Sequence, residues 1–280
     1  MQRNVHSFML ATLLVGATLL QAQHATAELV SDITAVKLGD SFLAGVVIRT
    51  EPGWHVYWSN PGDSGTPTSI TWKLPEGWTA GPILWPTPSR FTEGEMVTYG
   101  YEGSTLLLTR LTPPAGVQKG RFVVEAHVKW LACKEACVAG SADLRLDRSV
   151  NENTYEHPVW FERLAAAEKA LPQPAQDWTV SARQIEGGYV VTAKPPVPLL
   201  PGSSMPTFFA SEAGVVEAGA PQNFRINEDG SIMIALKAAE LGGNTPERLK
   251  GILIAPKAVY WKDNIDTVLI DVPIPPKGGN

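Results

Sequence analysis

Cys133 and Cys137 are the only two cysteines in the chain, and both lie in one short segment, Trp130-Leu131-Ala132-Cys133-Lys134-Glu135-Ala136-Cys137-Val138-Ala139-Gly140. Neighbouring thiols offer three kinds of chemistry: a structural disulfide, a reversible dithiol, or a soft-metal site. Four residues of extended strand span about 13 Å, whereas bridged Cα atoms lie within about 7 Å, so a disulfide here requires residues 133–137 to turn. Chain-entropy arithmetic gives such a short loop about 2 kcal/mol of stabilisation, against about 4.7 kcal/mol for a 100-residue loop. A poor staple is a good dithiol, because the bond opens with little rearrangement of the rest of the fold. Lys129 and Lys134 would favour a thiolate if they approach it, and Glu135 would oppose one. In a metal site, Cys133, Cys137, His127 and Met96 would form a thiolate, imidazole and thioether set suited to Cu(I). Two cysteines alone cannot fill a tetrahedral zinc shell.

The elements around this pair read as strands. Phe42–Ile48, Ser69–Leu74, Ser104–Thr109 and Arg121–Trp130 are β-branched and aromatic, often alternating, and bounded by Gly and Pro clusters, the pattern of an all-β sandwich. From Pro158 to Leu171, Trp160, Phe161, Leu164, Ala167, Ala170 and Leu171 fall near helical spacing before Pro172 and Pro174, which predicts a short linker helix. Strand patterns resume at Trp178–Ala182, Gly188–Ala193, Phe224–Ile226, Ser231–Leu236, Leu249–Ala255 and Thr267–Val272, with Asn227–Gly230 as a hairpin turn. The expected fold is all-β: two β-sandwiches, residues 28–150 and 175–280, joined by a helical linker at 151–174.

The first 27 residues read as a secretory signal peptide. Arg3 is the positive n-region, Phe8–Leu20 is an apolar run, and Ala25-Thr26-Ala27 is a small-x-small cleavage site. The run is too short for a spanning helix, and no later apolar stretch is long enough. The expectation is an exported periplasmic protein that does not span the membrane, in a compartment where cysteines pair. With 28 acidic against 23 basic residues the net charge is −5, which excludes a nucleic-acid partner held by the phosphate backbone.

Other features are weaker. Five of the nine Trp fall between Trp54 and Trp85, a cluster that reads as core and loop packing. Asp63, Ser64 and His55 lack the G-x-S-x-G elbow of a hydrolase. No glycine-rich phosphate loop is present.

Gly53-Trp54-His55-Val56-Tyr57-Trp58-Ser59-Asn60-Pro61-Gly62-Asp63-Ser64-Gly65, Tyr99-Gly100-Tyr101 and the Val128–Gly140 segment together resemble the N-terminal periplasmic domain of the DsbD family. The nearer likeness is to its ScsB-like branch, which carries a second β domain. The resemblance implies an immunoglobulin-like sandwich that passes reducing equivalents by thiol–disulfide exchange, in a family that serves cytochrome c biogenesis. It implies Cys133 and Cys137 as the redox pair, with Cys137 attacking the partner. His55, Tyr57, Tyr99 and Lys134 become candidates beside them, and Phe91–Tyr101 stands where the family places a cap loop. The acidic and aromatic cap tip of the family is replaced here by Met96-Val97-Thr98. No organic cofactor or resident metal is implied. Full-length members continue into membrane and thioredoxin-like domains, and this sequence carries neither before Asn280. The implied partners are therefore thioredoxin-like periplasmic proteins and a separately encoded membrane electron transporter of the DsbD or CcdA type. The alternative is a non-enzymatic periplasmic binding or assembly protein, for copper among others, with a static disulfide or a Cu(I) site.

Overall fold

The computed structural model describes residues 23–197, 205–240, 246–256, 261 and 265–275. In chain order the first domain contains β1 (Ala25–Ser31), β2 (Ile33–Lys37), β3 (Phe42–Thr50), β4 (His55–Gly62), β5 (Ser69–Lys73), β6 (Thr79–Ala80), β7 (Ser89–Glu93), β8 (Met96–Glu102), β9 (Ser104–Thr112), β10 (Gly120–Cys133), β11 (Cys137–Asn151) and β12 (Tyr155–Glu156). Helix α1 (Trp160–Lys169) and β13 (Gln173–Pro174) lead to β14 (Thr179–Ile185), β15 (Gly188–Lys194), β16 (Thr207–Ala210), β17 (Asn223–Ile226), β18 (Ile232–Lys237), β19 (Arg248–Ile254) and β20 (Thr267–Pro273).

The first domain is a sandwich of a four-stranded sheet, β1-β3-β9-β6, on an eight-stranded one, β12-β2-β11-β10-β4-β8-β7 with β5 also on β10. The sequence dictates this most clearly in β10. Phe122, Val124, Ala126, Val128 and Trp130 are buried, while Arg121, Glu125, His127 and Lys129 alternate onto the outer face. β10 and β11 pair antiparallel from Gly120↔Val150 to Cys133↔Cys137. In β3, Phe42 to Ile48 is buried without interruption because both faces are covered. Phe42, Ala44, Val46 and Ile48 join the cores between the sheets, while Leu43 and Val47 pack with Leu164 of α1.

Helix α1 is thus more than a connector: its one buried residue, Leu164, anchors it to the outer face of the β1-β3-β9 sheet. It starts two residues later than the periodicity suggests because His157 Nδ1 accepts the amide hydrogens of Val159 and Trp160, both at 3.2 Å. That satisfies donors that a helix start leaves open.

The second domain is a smaller sandwich of two four-stranded sheets, β13-β20-β19-β16 and β14-β15-β18-β17, closed around Phe208, Ile232, Ile234, Leu249 and Trp261. The expected Asn227–Gly230 turn joins β17 and β18, with Gly230 at φ +77°. The two domains share a core: Phe209 and Ile252 of the second pack with Trp58, Val97 and Tyr99 of the first. Asn60 Nδ2 donates to Ala210 O at 2.8 Å, and Thr87 Oγ1 to Thr267 Oγ1 at 3.0 Å.

The N-terminal boundary differs from the sequence expectation. Most of the apparent signal peptide, residues 1–22, lies outside the described residues. Its cleavage motif does not: Ala25, Thr26 and Ala27 pair with Thr50, Arg49 and Ile48 as the first rungs of β1 on β3. The first domain therefore begins upstream of residue 28. Among the described residues no helix is long and apolar enough to cross a membrane.

Candidate functional site

The two cysteines form a disulfide, Cα atoms 4.1 Å apart. They are the last rung of the β10–β11 ladder, and residues 134–136 make the turn that their spacing demanded, tightened by Lys134 N–H donating to Ala136 O at 3.2 Å. The hairpin tip treats its sulfurs unequally. Cys133 is 3 % exposed, held at the end of β10 where that strand meets β4. Cys137, beginning β11, is exposed.

The disulfide forms one wall of a cleft of about 440 Å³ whose other walls are β4 and the β7–β8 hairpin. β4 contributes His55 and Tyr57. They share a face because strand side chains alternate, while Val56 and Trp58 point into the core. His55 stands opposite Cys133 in register. The Tyr57 hydroxyl lies 3.8 Å from Cys137 Sγ, and Ser64 lines the same cleft. Burial raises the pKa of this phenol and keeps it protonated.

Tyr57 is fixed from above by Gly65. That residue has φ +105°, and a Cβ there would sit 2.3 Å from the Tyr57 ring, so only glycine fits. Gly140 serves Trp130 in the same way, since a Cβ would fall 2.4 Å from the indole nitrogen.

The β7–β8 hairpin forms the wall of the cleft opposite the disulfide turn. Phe91 lies flat on His55, ring centroids 4.3 Å apart and planes within 10°. Met96, 47 % exposed, lines the mouth of the cleft together with Thr92 and Glu93. Cys137 remains exposed beside this hairpin.

His55 is 9 % exposed. Its pKa is lowered by burial, against the opposing pull of Glu102 and Glu93. Its Nε2 is buried without a hydrogen-bond partner.

The residues singled out from sequence thus separate into two groups. His55, Tyr57, Lys134, Cys133 and Cys137 come together in the cleft, with Lys134 Nζ resting over Gly53, 3.1 Å from where a Cβ would be. Tyr99 does not join them. Met96 and Thr98 face the cleft, so by strand alternation Tyr99 turns the other way. It is 3 % exposed, stacked on Phe209 of the second domain at 4.3 Å. Lys129 is also remote, on the outer face of β10.

The Cu(I) ligand set is not assembled. His127 lies six residues back along β10, about 20 Å of strand from Cys133, and its Nδ1 is 2.7 Å from Asp143 Oδ1. Among the described residues no three His, Cys, Asp or Glu side chains cluster as metal ligands. No triad is assembled either: His55 and Ser64 line the cleft, but Asp63 Oδ2 accepts the Val97 amide at 2.7 Å. The Trp cluster is packing: Trp58 and Trp78 are buried, and Trp54 stacks on His24 at 3.6 Å. Sequence reasoning passed over the placing role of Gly65, whose only signal was the Asn60-Pro61-Gly62-Asp63-Ser64-Gly65 turn cluster.

Residues 21–148 match the family model of the N-terminal region of the thiol:disulfide interchange protein DsbD. The whole fold is similar to the crystal structure of the N-terminal periplasmic domain of ScsB from Proteus mirabilis. The TM-score is 0.66 and the identity 16 %, over 92 % of this chain and 96 % of that one. A much weaker likeness is to BcpA, the major pilin subunit of Bacillus cereus, with TM-score 0.29 and 13 % identity over 91 % of this chain and 67 % of that one. No curated protein matches the chain significantly. The sandwich that carries the disulfide and its cleft is therefore DsbD N-terminal-like.

Proposed function

We propose that the chain is a periplasmic thiol–disulfide exchange protein that passes reducing equivalents between a membrane or thioredoxin-like donor and periplasmic oxidoreductases through Cys133 and Cys137. One observation carries this reading: a disulfide within a cleft, with one sulfur-bearing residue exposed and the other buried. A disulfide that only held the fold together would gain little from a hairpin tip whose strands already pair along their whole length.

The chemistry follows from the asymmetry. A donor thiolate reaches Cys137 Sγ and forms a mixed disulfide with it. The Cys133–Cys137 bond breaks, and Cys133 leaves as the thiolate. The donor's second thiolate then attacks its own sulfur in the mixed disulfide and departs oxidised, leaving Cys133 and Cys137 reduced. In the second half-reaction the Cys137 thiolate attacks the disulfide of a downstream oxidoreductase. Cys133 then displaces the partner and re-forms the original bond. Two electrons enter and two leave, and the sulfurs need no cofactor. Tyr57, 3.8 Å from Cys137 Sγ, can donate a hydrogen bond to the Cys137 thiolate, which favours the charged form. The separately encoded membrane transporter and the thioredoxin-like partners belong to this proposal.

Equilibration of the folded protein with glutathione buffers, followed by thiol trapping, tests it. A potential above about −300 mV with the fold intact in both redox states supports exchange. A much lower value, or unfolding on reduction, leaves a structural bridge.

A further inference from the structure

Among the described residues, a few buried side-chain polar atoms have no hydrogen-bond partner, and of these His55 Nε2 is the one whose residue lines the cleft. A buried imidazole nitrogen without a partner costs stability, so its persistence next to a reacting bond calls for a chemical explanation. The ring cannot easily swing away to find water. Phe91 lies flat against it at 4.3 Å, and Tyr57 meets it edge-on at 5.2 Å.

The residue opposite His55 in register is Cys133, and directly opposed side chains in a sheet have Cβ atoms about 4.5–5.5 Å apart. In the disulfide, the Cys133 sulfur has no proton to give. When the bond opens, Cys133 becomes a thiol, a new donor within the cleft, created by the reaction itself. The Tyr57 hydroxyl is directed to Cys137 instead.

We propose that His55 is the base for the buried cysteine. It takes the proton from Cys133 as that sulfur attacks the mixed disulfide on Cys137. The step balances. The S–H bond of Cys133 breaks and Nε2 gains the proton. The Cys133–Cys137 bond forms while the Cys137–partner bond breaks, and the partner departs as a thiolate. This rests on the exchange reading and assigns the acid–base chemistry of its second half.

The charged and titratable surroundings suit a base that is neutral at rest. Burial holds the imidazole below its ordinary pKa. Glu102, its register partner on β8, and Glu93, on β7, favour the imidazolium that forms during transfer. Tyr57 on β4, and Lys134 and Glu135 on the hairpin loop, complete the titratable lining. Of these, burial keeps Tyr57 neutral.

The test uses the reduced full-length mature protein and glutathione disulfide as probe, with acid quenching and mass spectrometry. Cys137 takes one glutathione in the first step, and Cys133 expels it in the second. His55→Phe and His55→Gln are each expected to slow the second step about 10²-fold near neutral pH and to make its rate rise with hydroxide. The first step should be unchanged. His55→Gln keeps a polar side chain of similar reach but cannot act as a base, so a loss shared by both variants separates acid–base chemistry from packing. Unaltered resolution with the wild-type pH profile in either folded variant would overturn the assignment. Wild-type protein that never forms the glutathione adduct would overturn the exchange reading itself, and the assignment with it.

Discussion

Tyr99 of the first domain stacks on Phe209 of the second, centroids 4.3 Å apart, and its hydroxyl points at Ala218 O, 3.4 Å away. The same strand, β8, lines the cleft with Met96 and Thr98 on its other face. The second domain therefore backs the strand that carries one wall of the site. Phe209 is 4 % exposed, so Phe209→Ala should cost about 3–5 kcal/mol. Urea unfolding is the measurement. It should also show one transition in the parent protein, since the two domains share a core. A loss well under 1 kcal/mol, or two separate parent transitions, would show that the domains are only loosely docked.

The same tyrosine predicts an alkaline limit to stability. Burial pushes the Tyr99 pKa up to about 12 from the ordinary tyrosine value of 10.0. Above pH 10 the unfolded chain loses this proton while the fold keeps it, so stability falls as pH rises from about 10 to 12. Tyr99→Phe should flatten that part of the decline when thermal unfolding is followed across the range. An identical decline in the variant would assign the effect elsewhere, with Tyr101, also raised by burial, as the next residue to replace.

The unequal exposure of the two cysteines predicts unequal single-cysteine variants. In Cys133→Ser the exposed Cys137 should react with a soluble aromatic disulfide within mixing time. In Cys137→Ser the buried Cys133 should react at least about 10²-fold more slowly until denaturant is added, because access limits exchange. Equal rates in the folded variants would remove the basis for choosing Cys137 as the attacked sulfur.

The proposed export makes the position of any N-terminal cleavage testable. Ala25 is 7 % exposed, His24 stacks on Trp54, and Gln23 Oε1 accepts the Ser141 amide at 2.9 Å. Cleavage after Ala27 would remove all of these contacts and the first rungs of β1. Protein expressed from the full-length sequence in a Gram-negative host and recovered after export is expected to retain residues 23–27 by intact mass. A chain beginning at Glu28 would refute this.

Legibility in the sequence tracked how locally each feature is determined. The run Arg121–Trp130 announced β10 because one of its faces is apolar and the other charged. Its partner β11 went unread, since Ala139, Gly140, Ser141 and Ala142 carry little β signal. They form strand because the β10 ladder extends over them and Gly140 accommodates Trp130. β16 was missed for a similar reason, lying just after Pro206 and held by β19.

By itself the sequence determined the all-β class, the helix between two sandwiches, and the closeness of the two cysteines, because alternation, helical periodicity and a four-residue spacing are local properties of a chain. Only the tertiary structure decided which cysteine is buried, which aromatic residues join the cleft, and that Ala25-Thr26-Ala27 pairs as strand. Cys133 is hidden because β4 arrives beside it from far away in sequence. Tyr99 faces away from the site because a second domain packs against it. The N-terminal alanines are strand because β3 offers them an edge. Each outcome depends on long-range pairing, and residue types and spacing do not encode the partner.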